Sequence, residues 1–315
     1  MIETVKLIGC STAEEFLESL SPLSSYFSKH YFSYRWIFRG HADHRFELVP
    51  TALRTEPLPL LRKGFLGWKG ELRETNAQQI QAEIDTLTEF FSVADTNGLT
   101  LPEDSQSLRM QLLDPENDLS SHWPPCEIFS LMGLAQHYGV ATRLLDWTRN
   151  ALVAAYFAAN EAAHWQVEEK KAPPGADRLG VWAMSAVLYD IHAGNVSLAG
   201  RVPPVRLVTA PGASNPNLHA QEGLFTLRTQ TEFRLTDQID RRPLEQVVKD
   251  EFDFGHHVPP YITWPFFYHI TLPLCESRRL LRILAKHGVT GARLCPGFRG
   301  VVQALLEQSR WDELP

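Results

Sequence analysis

Two short stretches of this 315-residue chain carry more polar side chains than a protein core needs. The first reads Trp36-Ile-Phe-Arg-Gly-His41 and places Arg39 within a predicted aromatic strand. An arginine is costly to bury unless it is paired or hydrogen-bonded. One interpretation is therefore a structural ion pair with Asp146 or Glu222. The other is an anion-binding site, because a planar guanidinium binds a carboxylate or phosphate through two hydrogen bonds.

Gly40 follows this arginine directly. A glycine has no Cβ, so a ligand can approach its backbone closely. Gly40 is therefore a candidate ligand-binding residue.

The second stretch, residues 136–148, reads Gln-His-Tyr-Gly-Val-Ala-Thr-Arg-Leu-Leu-Asp-Trp-Thr and is predicted to connect two buried helices. Arg143 can bind the last carbonyl groups of the preceding helix. Three residues can cap the N-terminus of the following helix: Asp146, Thr148 and Asn150. Three others have no obvious structural role and are candidate functional residues: Gln136, His137 and Thr142.

Hydrophobic spacing predicts the elements that must position these residues. The predicted helices span residues 13–29, 77–92, 126–138, 150–164, 276–287 and 299–309. The predicted strands span residues 34–40, 180–191, 205–209, 223–229 and 266–272. Because helices come first and strands later, we expect an α+β fold, with a helical N-terminal part packed on a mixed or mostly antiparallel sheet.

The composition is that of an ordinary globular protein, with 44% hydrophobic and 21% charged residues. It excludes disordered, collagen-like and coiled-coil classes, and a net charge of −7 argues against a broad nucleic-acid surface. The charge is uneven: residues 71–118 hold 11 acidic and 2 basic residues, and residues 276–310 hold 7 basic and 2 acidic. We interpret both segments as solvated faces; alternatively, the basic one contacts phosphates or an acidic partner.

The N-terminus lacks the pattern of a signal peptide, and no apolar run approaches 18 residues. We therefore expect a cytoplasmic protein with no membrane contact. We also expect no metal, because the adjacent His256 and His257 would face opposite sides of a strand.

Three segments resemble the FRG domain, a family named for a Phe-Arg-Gly triplet. They are Phe38-Arg39-Gly40, Leu48-x-Pro50-x-x-x-Arg54 and the string from Ala135 to Thr148. The resemblance covers about residues 36–159. It implies an FRG-like core at about 30–245 within a single compact domain of residues 1–315, with a C-terminal strand and helices in 246–315.

The aromatic-Arg-Gly triplet is also similar to the first motif of the ADP-ribosyltransferase superfamily. That similarity implies an ADP-ribosyltransferase-like core and NAD as the substrate. It also implies a possible protein or nucleic-acid acceptor and a role in bacterial or phage conflict. It assigns five candidate catalytic residues: Arg39, His137, Thr142, Gln221 and Glu222. Seven further residues are candidate ligand-binding residues: Gly40, Arg54, Gln136, Tyr138, Arg143, Asp146 and Thr148.

The implied chemistry is cleavage of the bond between nicotinamide and ribose. A carboxylate near the ribose would stabilise the oxocarbenium character that develops there. Arg39 would hold the pyrophosphate or the adjacent ribose, and Tyr138 would stack on nicotinamide.

Two other functions remain open at this point. The same arginines would also suit a non-catalytic module that holds a nucleotide, an RNA end or a protein partner. A phosphoester or glycosidic hydrolase is the third candidate.

Overall fold

The computed structural model describes residues 3–28, 35–55, 74–113, 123–167, 172–198, 203–210, 215–229, 238–251 and 263–311. The strands are β1 (Val5–Gly9), β2 (Trp36–His41), β3 (Leu144–Thr148), β4 (Arg178–Ser185), β5 (Val205–Val208), β6 (Gly223–Arg228) and β7 (Phe267–Pro273). The helices in the first half are α1 (Ala13–Leu20), α2 (Asn76–Thr96), α3 (Gln106–Leu113), α4 (Phe129–His137) and α5 (Ala151–Val167). The later helices are α6 (Ala186–Leu198), α7 (Pro216–Ala220), α8 (Leu244–Glu251), α9 (Ser277–Lys286), α10 (Gly291–Leu294) and α11 (Phe298–Trp311).

The strands form one mixed sheet in the order β1-β7-β4-β2-β3-β6-β5. β1 runs parallel to β7, whereas the other neighbouring strands are antiparallel. The α+β class and the mostly antiparallel sheet are therefore confirmed.

The predicted order of elements is wrong, because β1, β2 and β3 all lie in the first half of the chain. Residues 144–148 are not part of a connector; they form β3, in the interior of the sheet between β2 and β6. Residues 186–191 begin α6 instead of continuing a strand. The first predicted helix ends at Leu20, nine residues before the expected end.

Local chemistry explains how α4 and α5 flank β3. The α4 helix ends before Gly139, whose φ of +90° lies in the left-handed region that glycine adopts without strain. Asn150 caps α5 as predicted, because its Oδ1 accepts a hydrogen bond from the backbone N–H of Leu152 at 3.0 Å.

Gly40 is the place where α5 crosses β2. A Cβ atom at this position would lie 1.9 Å from the backbone oxygen of Ala154. The interpretation that Gly40 leaves room for a ligand is therefore corrected, because the helix backbone fills that space.

Strands β2 and β3 are joined by a short ladder. Within the described strands, their register contains the single pair Phe38 and Thr148. Beyond it, the Nη1 atom of Arg39 donates a hydrogen bond to the backbone oxygen of Asp146 at 2.8 Å. The arginine side chain thus binds a strand carbonyl at the place where the two strands separate.

Candidate functional site

A cleft of about 750 Å³ opens where β2 and β3 separate. Its walls come from these two strands, the C-terminal end of α4, one face of α5, and residues 295–303. Eight of the residues predicted from the sequence line it: Arg39, Gly40, Gln136, His137, Tyr138, Asp146, Thr148 and Gln221.

A chain of side-chain hydrogen bonds joins the two polar stretches at this cleft. The hydroxyl of Thr142 donates to Oε1 of Gln136. The Nε2 of Gln136 donates to Oδ1 of Asp146 at 2.7 Å, and Nη1 of Arg39 lies 3.4 Å from Oδ2 of the same carboxylate. The expected ion pair between Arg39 and Asp146 is therefore present, and it belongs to the cleft wall.

Arg39 is held on its other edge by a histidine. Its Nε donates to Nε2 of His41 at 2.9 Å, and Nδ1 of His41 lies 3.0 Å from the backbone oxygen of Phe46. Because Nε of arginine can only donate, Nε2 of His41 must be the acceptor and Nδ1 must carry the proton. Burial and the charge of Arg39 lower the pKa of His41 well below 6.5, so the imidazole is neutral at pH 7.

The Nη2 atom of Arg39 has no hydrogen-bond partner among the described residues. The Arg39 side chain is 17% exposed, and burial lowers the pKa of its guanidinium. It is a largely desolvated cation with one donor group left over, which suits the binding of an anion.

His137 and Tyr138 form the outer rim of the cleft. The Nε2 of His137 lies 2.9 Å from Nδ2 of Asn217, and partial burial together with Arg299 lowers the pKa of His137. Tyr138 is 67% exposed. An exposed ring at a cleft rim provides a flat surface on which a planar ligand group can stack.

Thr148 is the last residue of β3, and Gln221 lies just before β6, the strand with which β3 pairs. The hydroxyl of Thr148 donates to the backbone oxygen of Gln221 at 2.7 Å. The Nε2 of Gln221 donates to the backbone oxygen of Leu294 at 3.0 Å. Both side chains line the cleft; Thr148 connects β3 to the segment before β6, and Gln221 connects that segment to α10.

Four predicted site residues do not line the cleft, and three of them lie close to it in the chain or in neighbouring loops: Thr142, Glu222 and Arg54. Thr142 is buried behind Gln136, where its Oγ1 also accepts a hydrogen bond from the N–H of Leu144. Glu222 is exposed, and its Oε1 accepts from Nδ2 of Asn150 at 3.0 Å. The Nε of Arg54 donates to the backbone oxygen of Val49 at 3.2 Å. These side chains support the surrounding loops and not the cleft surface.

Arg143 is the clearest correction. It is fully buried, and its Nε and Nη2 donate to the two carboxylate oxygens of Glu83 at 2.6 and 2.8 Å. Its carbonyl contact is to Arg228, at 3.5 Å, and not to the end of α4. Arg143 therefore ties α2 to the sheet, and it does not reach the cleft or a ligand there.

Sequence reasoning missed the contributions of α5 and of the C-terminal segment. Asn160 and Glu161 line the cleft from α5, and Arg299 and Gln303 line it from α11. Burial raises the pKa of Glu161, while His164, Arg39 and Arg54 act in the opposite direction. The signal for α5 was its pattern, because these two polar residues interrupt an otherwise apolar helix.

Comparison with known proteins supports the FRG resemblance. The family model "FRG domain" matches residues 34–166. This segment includes β2, β3 and the helices α2 to α5, so it contributes Arg39, Gln136, Asp146 and Glu161 to the cleft. The chain matches neither a curated protein nor a solved structure.

Neither a membrane-spanning helix nor a metal-binding cluster is found in the part of the chain that the structure describes. None of its helices is both long and apolar enough to span a membrane. None of its groups of three or more histidine, cysteine, aspartate or glutamate side chains is arranged to hold a metal ion. The adjacent histidines 256 and 257 lie outside the described residues.

Proposed function

We propose that the cleft binds a nucleotide and that its leading substrate is NAD, from which ADP-ribose is transferred to an acceptor. The observation that carries this proposal is that Arg39, whose Nη2 has no hydrogen-bond partner among the described residues, lines one cleft together with the carboxylates of Asp146 and Glu161. Cleavage of a glycosidic bond next to a diphosphate needs a cation and a carboxylate at such a site.

The two arginines of the cleft would bind the diphosphate. Arg39 is fixed by His41 and Asp146, so it can receive a phosphate without losing much side-chain freedom. Arg299 is exposed at the opposite wall, at the start of α11. A volume of about 750 Å³ is within the usual range for clefts that hold a small-molecule ligand.

Aromatic and amide groups would position the rest of the dinucleotide. Tyr138 and Phe157 are both exposed on the cleft surface and offer rings for stacking. Asn160 and Asn217 line the same surface and can hydrogen-bond ribose hydroxyls or base edges.

Glu161 would take the role that the ADP-ribosyltransferase resemblance assigned to Gln221 or Glu222. In the reaction, the bond between nicotinamide and ribose breaks and nicotinamide leaves with the electron pair. The carboxylate of Glu161 would stabilise the positive charge on the ribose, and an acceptor nucleophile would then bond to C1′ and release its proton. Asp146 is less suited, because both of its oxygens already accept hydrogen bonds.

The experiment is incubation of the full chain with labelled NAD, with and without cell lysate, followed by measurement of nicotinamide release and of label transfer. We expect release or transfer that is abolished in Arg39→Ala and strongly reduced in Glu161→Gln. Arg279→Ala is the matched control, because Arg279 forms an exposed pair with Glu14. Equal activity of Arg39→Ala and wild type would contradict the proposal.

A non-catalytic binding module is the second candidate, and one observation favours it. The polar groups of Gln136, Asp146 and Gln221 are engaged within the protein. A thermal shift with NAD or ADP-ribose that depends on Arg39, without nicotinamide release, would support this function over transfer.

A further inference from the structure

Exposed apolar side chains are concentrated on two surfaces beside the cleft. The described residues include thirteen exposed large apolar side chains, and eight of these lie on the two surfaces. Such concentrations on a protein surface mark interaction sites more often than scattered exposed residues do.

The first surface is the outer face of α11. Its five members recur at helical spacing, so they form one continuous stripe: Phe298, Val301, Val302, Leu305 and Leu306. Phe298 is the most exposed of them, at 91%.

The inner face of α11 is polar and already occupied. Glu307 is buried, where it accepts hydrogen bonds from the hydroxyl of Tyr156 and the backbone N–H of Gly291. Gln303 donates to Oδ1 of Asn160 on α5 at 3.2 Å. The helix is thus inverted relative to an ordinary surface helix, because its polar side faces the protein and its apolar side faces solvent.

The second surface is a groove of about 520 Å³ between α2, α4 and residues 99–101. Apolar side chains make up most of its wall: Phe90, Val93, Ala94, Leu99, Leu101, Leu134, Tyr138 and Val140. Glu89 is the charged residue that lines it.

The two surfaces complement each other in shape and in charge. A groove between two helices commonly receives the apolar face of a third helix. The α2 side of the groove lies in the acidic part of the chain and includes Glu89, whereas α11 carries the exposed Arg299 and lies in the basic part.

The position of both surfaces beside the cleft suits a two-fold arrangement. Tyr138 lines both the groove and the cleft, and Arg299 at the start of α11 also lines the cleft. In two copies related by a two-fold axis, each copy can therefore dock its α11 into the groove of the other. This reciprocal contact closes the assembly at a dimer.

We propose that the outer face of α11 docks into the α2–α4 groove of a second copy of this chain. The dimer would place the partner's helix next to Tyr138, at the rim of the cleft. The interface would hold α11 in position, and with it the wall that contains Arg299 and Gln303.

Sedimentation velocity of the full chain over a range of concentrations tests the proposal. We expect a dimer for wild type. Leu305→Glu on α11 and Val93→Glu in the groove should each weaken dimerisation roughly 100-fold, because each places a charge in an apolar contact. Leu7→Glu is the matched control, since Leu7 is 73% exposed on β1, at the far edge of the sheet.

Mixing the two defective variants makes the test specific for this pairing. A dimer of Leu305→Glu with Val93→Glu retains one intact contact between α11 and a groove, so the mixture should associate more tightly than either variant alone. Three outcomes would overturn the proposal: a monomeric wild type, a Val93→Glu variant that dimerises like wild type, or a mixture no tighter than its components. Circular dichroism of each variant checks that the fold is retained.

Discussion

Arg39 and Arg143 belong to the two polar stretches of the sequence, yet their surroundings differ sharply. Arg143 is fully buried and has a bidentate carboxylate partner in Glu83. Arg39 is bonded through Nε to His41 and through Nη1 to Asp146, and its Nη2 is left without a partner among the described residues. The first arrangement stabilises the fold, whereas the second leaves binding capacity at a cleft.

The buried pair should give the largest effect on stability. Replacing Glu83 by alanine leaves the charge of Arg143 buried without its counterion and removes the acceptor of the Trp123 indole N–H. We expect a loss of about 3–5 kcal/mol in the free energy of unfolding, measured by urea denaturation. Glu14→Ala, which removes an exposed ion pair, should be close to wild type. A Glu83→Ala variant as stable as wild type would contradict the structural role of Arg143.

The surroundings of Arg39 should be sensitive to acid, because they include neutral histidines. Strand β4 lies beside β2, and its Trp182 pairs with Arg39. His269, on strand β7 at the other side of β4, stacks on Trp182. Burial lowers the pKa of His269 from 6.5 to about 4. The unfolded chain therefore binds a proton at a higher pH than the folded chain does, so stability is lost as the pH falls from about 6.5 to about 4.

For His269 alone this loss is on the order of 3 kcal/mol. Urea denaturation at a series of pH values should show a shallower fall in His269→Phe than in wild type. Equal slopes in the two proteins would contradict this account of the histidine.

A substitution at Gly40 distinguishes a packing role of this residue from a ligand-binding role. In Gly40→Ala, the new methyl group would meet the backbone of Ala154, so α5 must shift. We expect a loss of about 1–3 kcal/mol in the free energy of unfolding. Gly194→Ala on α6 is the matched control, since a Cβ there meets no atom within 4 Å. Unchanged stability with weaker nucleotide binding would instead favour the ligand-binding role.

The smallest effect is expected at Glu222. Glu222→Gln keeps an oxygen that can accept the hydrogen bond from Asn150, and the residue lies outside the cleft. We expect a change within about 0.5 kcal/mol in stability and no change in nicotinamide release. A tenfold loss of release would place the chemistry at Glu222 and not at Glu161.

Local patterns predicted the helices α4 and α5 beside the cleft, but not the strand β3 between them. The apolar face and terminal glycine of residues 126–139 predicted α4, and the apolar run after Asn150 predicted α5. The pairing of Arg143 with Glu83 had no local signal, because the two residues are 60 positions apart and meet only when α2 packs against the sheet.

The cleft itself was predictable in part. Arg39 and Asp146 were named as a possible pair, and the structure brings them together. Arg299 and Gln303 could not be found in this way, because their arrival at the cleft depends on how α11 packs against α5 through Glu307 and Gln303. That Glu222 lies outside the cleft could not be predicted, because sequence alone does not tell which way a side chain just before a strand points.

The most direct test of the central claim is isothermal titration of NAD and of ADP-ribose into wild type and Arg39→Ala, with the free energy of unfolding measured for both proteins. The account predicts binding to wild type and a dissociation constant roughly 10- to 100-fold weaker in Arg39→Ala, because a charge-assisted hydrogen bond to the ligand is lost. The variant should remain folded. Equal dissociation constants in the two proteins, or no binding to folded wild type, would contradict a nucleotide site at Arg39.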